Sequence, residues 1–308
     1  MVEIVLSTYN GALYLGELFD SILDQTYTHW KMLIRDDGSS DSTHLIISEY
    51  AASHPGRFEL IEDDLGNLGP SRSFNMLLMA ARSNYLAICD QDDLWYPDKL
   101  DRQMNIIKEI EKQNGRDMPI LVHSDLFVCG HSMSPIAGSL WKYQKTDPEE
   151  MKDIRCLLMQ NFVTGCTLLM NRALCQCALP VPRNVMMFDW WIALVAIQAG
   201  KIVTIPAPLV QYRQHGFNAV GAKKWGVRYF ISRVFQVKNG FWAGLRETQI
   251  QADELWRHLE KKDVDYADII KKYGSFHQKN WLYRKRSYIT MGLRKYGRIK
   301  QFITWLLI

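Results

Sequence analysis

None of the six cysteines forms a C-x-x-C pair; Cys175 and Cys177 make only C-x-C, and zinc-ribbon spacing is absent. A structural zinc or a dithiol redox centre is therefore not expected. No apolar run approaches the roughly 20 residues needed to span a bilayer, and the closing Phe302–Ile308 is far shorter. There is no G-x-x-x-x-G-K-[ST] loop and no G-x-G-x-x-G fingerprint, so those two phosphate-binding devices are excluded. Low-complexity stretches and solenoid-period repeats are missing. Excess charge is small, a formal +4, too mild for a dedicated nucleic-acid binder. Val2–Leu6 is apolar with no basic region before it, which reads as a first strand and not as a signal peptide. The cysteines (Cys89, Cys129, Cys156, Cys166, Cys175 and Cys177) are then expected to be reduced thiols of a cytoplasmic protein.

What is present is ordinary globular composition: 308 residues, 47% hydrophobic and 23% charged. That length suits one sizeable domain plus an appendage. Strand and helix signals alternate in the first half. Val2–Thr8, Met32–Asp36, Phe58–Ile61, Tyr85–Cys89 and Ile120–Val128 read as strands. Ala12–Gln25, Asp41–Ala52, Ser71–Ala81 and Asp98–Glu111 read as helices, with Ser40 or Asp41 as a cap for the second. Such alternation predicts a mainly parallel sheet covered on both faces, with ligands outside the carboxyl ends of the strands. Val163–Met170 is expected to be a strand, Trp190–Gln198 a helix and Ile202–Tyr212 extended. Beyond about Ala222 the chain has no proline and is rich in Lys, Arg and aromatics, so a boundary is placed at 221/222, with a helical appendage over 222–308.

Three polar clusters fall at strand ends. Asp90-Gln91-Asp92-Asp93 sets three carboxylates within four residues. Such charges repel unless a cation lies between them, and hard ions such as Mg²⁺ or Mn²⁺ take one or two carboxylates plus substrate phosphates. The plainer reading is an acidic turn capping the next helix. Asp36-Asp37-Gly38-Ser39-Ser40-Asp41 offers a tight turn at Gly38 and an acceptor for a base or ribose, or simply a turn and a cap. Ser7-Thr8-Tyr9-Asn10-Gly11 presents backbone N–H groups at a helix start. Further on, Asp189 in F-D-W-W heads an apolar helix, where desolvation would raise a carboxylate pKa and suit a general base, or where it merely caps. Arg213 and His215 in Y-R-Q-H-G-F-N offer charge for phosphates and a metal ligand.

In this order and spacing, S-T-Y-N, R-D-D-G-S-S-D and D-Q-D-D-L-W-Y-P-D-K-L resemble the family 2 glycosyltransferases of GT-A fold. T-G-C-T-L-L-M-N-R, F-D-W-W and Y-R-Q-H-G-F-N-A-V-G-A look more specifically like a bacterial rhamnosyltransferase-type branch. The resemblance covers roughly residues 2–222, and agreement among several weak motifs outweighs any one. It implies an α/β, Rossmann-like GT-A catalytic domain over residues 1–221 with a helical C-terminal appendage. It implies Asp189 as general base. Thr8, Tyr9, Asn10, Asp36, Asp37, Asp90, Gln91 and Arg213 would bind the nucleoside-diphosphate donor, with Asp36 on the pyrimidine edge. Asp90, Asp92 and His215 would hold Mg²⁺ or Mn²⁺. Asp93, Trp95, Gly165, Cys166 and Trp190 would line the sugar or acceptor pocket. Many members carry Glu-Asp where this chain has Phe188-Asp189, so acceptor contacts are expected to differ.

The implied reaction is a single inverting displacement on a nucleotide sugar by a hydroxyl of a cell-surface polysaccharide or lipid-linked glycan. Deoxythymidine-diphosphate rhamnose is the first donor expected and a uridine-diphosphate hexose the second. The rival readings are a metal-dependent phosphotransferase or hydrolase, against which Ser7-Thr8-Tyr9-Asn10 stands where a nucleophilic Asp would sit, and a catalytically silent binding module. The basic and aromatic C-terminal region suits the inner face of an anionic membrane and equally a solvated helical face beside a core. No nucleic-acid partner is expected.

Overall fold

The computed structural model describes residues 1–216, 238–259 and 266–308; the boundary expected at 221/222 lies outside them. Two compact units are present. The first holds Met1–Leu140, Val163–Pro180 and the described residues from 200 to 216. The second holds Trp141–Phe162, Val181–Ala199 and the described residues of 238–308.

The first unit is built on a nine-stranded sheet: β1 Val2–Thr8, β2 Trp30–Asp36, β3 Phe58–Leu60, β4 Tyr85–Cys89, β5 Leu94–Trp95, β6 Ile120–Cys129, β7 Pro135–Ala137, β8 Leu169–Asn171 and β9 Lys201–Arg213. Their spatial order is β3-β2-β1-β4-β8-β6-β9-β5, with β7 paired to β6. Helices α1 Ala12–Leu23, α2 Thr43–Ser53, α3 Pro70–Ala80 and α4 Lys99–Asn114 connect the early strands. Val2, Ile4, Val5 and Leu6 are all fully buried, as a central strand covered on both faces requires. Leu15, Leu18, Phe19 and Ile22 of α1 recur at helical spacing and pack in the same core as Val2, Ile4 and Leu6.

Strands β3, β2, β1 and β4 are parallel in register. Their carboxyl ends therefore open on one rim, where the loops after Thr8, Asp36 and Cys89 gather. Beyond β4 the sheet is mixed: β8 pairs antiparallel with both β4 and β6, and β5 antiparallel with β9, while β6 and β9 run parallel. The strand expected over Val163–Met170 is shorter. Gly165–Thr167 closes a 3-10 turn, with Leu168 N–H donating to Gly165 O at 3.0 Å, and only Leu169–Asn171 joins the sheet. A short buried apolar run does not by itself tell strand from turn.

The second unit is helical. Phe188–Ala199 is buried on every side from Phe188 to Ala196. Lys238–Leu259, Ala267–Gly274, Trp281–Thr290 and Arg298–Leu307 follow, so the described parts of the C-terminal region have the helical character expected of them. No helix among the described residues is long and apolar enough to cross a membrane.

Candidate active site

The loops after β1 and β2 interlock. Asp37 N–H donates to Thr8 O at 2.7 Å, and Thr8 Oγ1 donates to Asp36 Oδ1 at 2.8 Å. Ser39 holds the same carboxylate through its hydroxyl at 2.6 Å and its backbone N–H at 2.9 Å. A carboxylate has about four acceptor positions; these bonds fill three, leaving room on Oδ2 for one external donor. Gly38 supplies φ +81°, a conformation L side chains disfavour. Asn10, at φ 47°, accepts Ser40 N–H at 2.8 Å, and Asn is among the residues that tolerate this region. Asp41 serves two helix starts. Its Oδ1 accepts Thr43 N–H at 3.0 Å and its Oδ2 accepts Ala12 N–H at 3.1 Å.

The acidic loop after β4 is tied to the same strand tip. Gln91 pairs with the backbone of Tyr9 in both directions, Tyr9 N–H to Oε1 at 2.8 Å and Nε2 to Tyr9 O at 3.0 Å. A Cβ on Gly11 would lie 2.5 Å from that Oε1, so the loop closes tightly only over glycine. Asp36 and the Asp90–Asp93 loop thus flank one tip, on either side of Thr8-Tyr9. Asp92 Oδ2 lies 2.6 Å from His215 Nε2. The His215 ring stacks on Tyr14, with centroids 5.0 Å apart and planes at 16°. His131, exposed, lies edge-on to both rings, 6.0 Å from Tyr14 and 6.5 Å from His215.

Carboxylate oxygens and an imidazole are donors suited to Mg²⁺ or Mn²⁺. Asp92 and His215 converge closely enough to share one ion, and Asp90 is half-buried two residues away. A second cluster, Asp90, Asp93 and Cys166, has its ligand atoms within 4.8 Å of one another. It fits a hard cation less well, because its third member, Cys166, is a wholly buried thiol, and a thiol is a poor ligand for a hard ion.

Several residues expected to touch substrate lie inside the unit. Asp93 and Cys166 are wholly buried, Trp95 is 2% exposed and Gly165 is buried. Arg213 is also buried. Its backbone N–H donates to Asp93 Oδ1 at 3.0 Å, and its guanidinium donates to Asp92 O at 2.9 Å, His131 O at 3.1 Å and Glu17 Oε2 at 2.5 Å. It also lies 5.0 Å from the Tyr14 ring centroid. These partners make Arg213 a clamp on the acidic loop instead of a free charge for phosphates. Asp37 is turned inward as well. It pairs with the buried Arg35 and accepts the N–H groups of Leu68 and Gly69, each at 2.8 Å. Arg35 also grips Asp63, so the pair shapes the loop before α3.

Asp189 and Trp190 belong to the second unit. Asp189 is 3% exposed, accepts Trp190 N–H at 2.6 Å and faces Asn161 Nδ2 at 3.4 Å. Trp190 is buried and donates its indole N–H to Leu157 O at 2.6 Å. Sequence reasoning missed Tyr14, Glu17, His131 and Lys99. Tyr14 and Glu17 sit inside the α1 pattern, where an aromatic reads as core and an acid as surface. His131 follows β6 with no motif around it. Lys99 falls in the D-K-L of the acidic motif, yet it is fully buried, with Nζ 2.8 Å from Gln103 Oε1 and 3.8 Å from the Trp95 ring centroid. A buried lysine has no local signature.

The family model described as Glycosyl transferase family 2 matches residues 3–173. A Mycobacterium tuberculosis protein of uncharacterized function is 31% identical over 269 residues, covering 85% of this chain and 71% of that one. The putative glycosyltransferase EpsE of Bacillus subtilis is 31% identical over 134 residues, 44% of this chain and 48% of its own length. Among solved structures, Staphylococcus aureus TarS 1–349 superposes with a TM-score of 0.57 at 16% identity, over 94% of this chain and 78% of that one.

Proposed function

This chain belongs to glycosyl transferase family 2 and is a nucleotide-sugar glycosyltransferase of GT-A fold; from that premise we propose that it inverts the transferred sugar in one displacement by an acceptor hydroxyl. The observation that carries this reading is the shared strand tip. Thr8 holds Asp36 on one side, and Tyr9 holds Gln91, hence Asp92, on the other. One extended nucleoside diphosphate would meet Asp36 with its base and the acidic loop with its phosphates.

Thr8 and Ser39 fix the Asp36 carboxylate so that Oδ2 accepts a base N–H. Asn10 and Tyr9 lie exposed beside it for the ribose. A divalent cation held by Asp90, Asp92 and His215 would supply positive charge against the departing diphosphate. Arg213 and Tyr14 keep the acidic loop and the His215 ring in place. Asp189 takes the proton of the acceptor hydroxyl. On the resemblance of T-G-C-T-L-L-M-N-R, F-D-W-W and Y-R-Q-H-G-F-N-A-V-G-A to a rhamnosyltransferase-type branch alone, deoxythymidine-diphosphate rhamnose is the first donor proposed. A uridine-diphosphate hexose is second; TarS has been crystallised with UDP-GlcNAc. A cell-surface polysaccharide or lipid-linked glycan is the acceptor proposed, with residues 1–221 as the catalytic region acting at the inner face of the membrane.

Two variants divide the roles. Asp92→Ala is expected to lower turnover by roughly 10²–10³-fold and to abolish metal-stimulated binding of the nucleotide, with chelator imitating it in the parent protein. Asp189→Asn is expected to keep donor affinity while losing roughly 10²–10⁴-fold in turnover. Calorimetric donor binding and single-turnover transfer measure the two separately. Full activity in chelator would remove the cation; an active Asp189→Asn would reassign the base.

A further inference from the structure

The C-terminal helices carry a surface that the transfer reaction does not use. Eight of the sixteen large apolar side chains exposed among the described residues lie between Trp281 and Leu306, too many in so short a stretch for scattered surface residues. On Trp281–Thr290 they are Trp281 (51% exposed), Leu282 (72%) and Ile289 (62%), with Tyr283 beside them. Trp281, Lys285 and Ile289 follow at intervals of four and share a helix face. On Arg298–Leu307 they are Ile299, Phe302 (61%), Trp305 and Leu306, again on one face. The opposite sides are anchored inward: Tyr288 Oη donates to Gln301 Oε1 at 2.9 Å, and Tyr288 and Thr304 are buried.

One lysine joins the two faces. Lys285 Nζ lies 4.6 Å from the centroid of the Trp281 ring and 4.6 Å from that of Trp305. Lys279 approaches the Tyr283 ring at 5.7 Å. From Ile269 to Ile308 the sequence holds ten Lys or Arg and no Asp or Glu. Exposed indole and phenyl rings interleaved with cations match the headgroup level of a bilayer, where aromatic rings seat at the acyl boundary and cations meet phosphates.

We propose that the exposed faces of Trp281–Thr290 and Arg298–Leu307 form one membrane-docking surface for anionic phospholipid. The aliphatic members, Leu282, Ile289, Ile299 and Leu306, favour acyl chains over nucleic acid, which stacks on aromatic rings and has no use for branched aliphatics. The absence of acidic residues disfavours a second copy of this chain, since two such faces would repel. The proposal is independent of the transfer reaction and of its metal.

The test is co-sedimentation of the full chain with phosphatidylcholine vesicles and with vesicles of equal phosphatidylcholine and phosphatidylglycerol. The parent protein is expected to partition at least about tenfold more strongly onto the anionic vesicles, since several cations meet the anionic headgroups, with a loss as salt is added. Phe302→Ser/Trp305→Ser, on exposed positions, is expected to lower that partition about tenfold or more while donor binding is unchanged. Equal partition onto both vesicle types, or an unaltered double variant, overturns the proposal. So does light scattering that finds a dimer lost in the double variant, or retention on RNA stronger than on the anionic vesicles.

Discussion

At the scale of single residues, the site is held less by its ligands than by what stands behind them. His215 reaches Asp92 with one ring nitrogen, and Tyr14 steadies the ring by stacking on it. Arg213 holds the other end of the contact through the Asp92 carbonyl and is itself braced by Glu17 and the His131 carbonyl. Aromatic pairs of this kind contribute roughly 0.5–1.5 kcal/mol beyond their buried area. Tyr14→Ala is therefore expected to lower kcat/KM for donor by up to about tenfold, whereas Tyr14→Phe keeps the stack and the activity. A steady-state comparison of the two settles it: if Phe is as damaged as Ala, the hydroxyl and not the ring is what matters. Arg35 and Asp37 follow the same logic deeper in the unit. Their buried pair, with Asp63, fixes the loop before α3, and removing one member of such a pair commonly costs roughly 3–5 kcal/mol.

At the scale of elements, the first half of the fold was open to pattern reading because each strand and helix there has one dominant period. The α1 stripe of Leu15, Leu18, Phe19 and Ile22 and the mainly apolar β1 follow from those periods, and so does the gathering of three polar loops on one rim. After α4 the alternation stops, and pairing is chosen by contacts distant in sequence. The 3-10 turn at Gly165–Thr167 and the antiparallel seat of β8 had no local sign. The same limit applied to the site. Asp36 and Asp92 could be placed from strand ends, but the inward turn of Asp37, the burial of Asp93 and Cys166 and the clamp made by Arg213 depend on neighbours from other elements. Glycines in the second unit illustrate how far context decides. A Cβ at Gly274 would lie 2.8 Å from Asp253 N and 2.9 Å from its Cα, backbone atoms of the helix Lys238–Leu259, while one at Gly244 would meet nothing among the described residues within 4 Å. Gly274→Ala is expected to cost roughly 1–3 kcal/mol through overpacking. Gly244→Ala, inside a helix, should stabilise by roughly 0.5–1 kcal/mol. Urea unfolding followed by circular dichroism reads both; equal midpoints would mean the helix crossing at Gly274 gives way without strain.

At the scale of the whole molecule, charge is unevenly distributed. The chain carries a net +4, and its last forty residues hold ten basic and no acidic side chains, so everything before them is net acidic. Within that acidic remainder Lys99, like Arg35 and Arg213, is sealed inside the first unit. Burial lowers its pKa from the ordinary 10.5 to about 7, partly offset by Cys89 and Cys166. The unfolded chain therefore binds a proton that the folded protein releases between those two values. Stability must then rise with pH across that window, by at most about 1.4 kcal/mol per pH unit for one proton, and fall as pH drops toward 7. Raised thiols at Cys89 and Cys166 act in the opposite sense above their ordinary range, so the parent protein alone would give a blurred curve. Lys99→Met keeps the unbranched bulk and the burial while removing the titration. The loss of the Gln103 hydrogen bond shifts the variant by a constant that does not depend on pH. The difference between parent and variant, measured by denaturant unfolding from pH 7 to 9, should therefore move steadily in favour of the parent as pH rises. Parallel curves would mean that Lys99 stays charged in the fold, stabilised by Trp95 and Gln103 more strongly than burial opposes it.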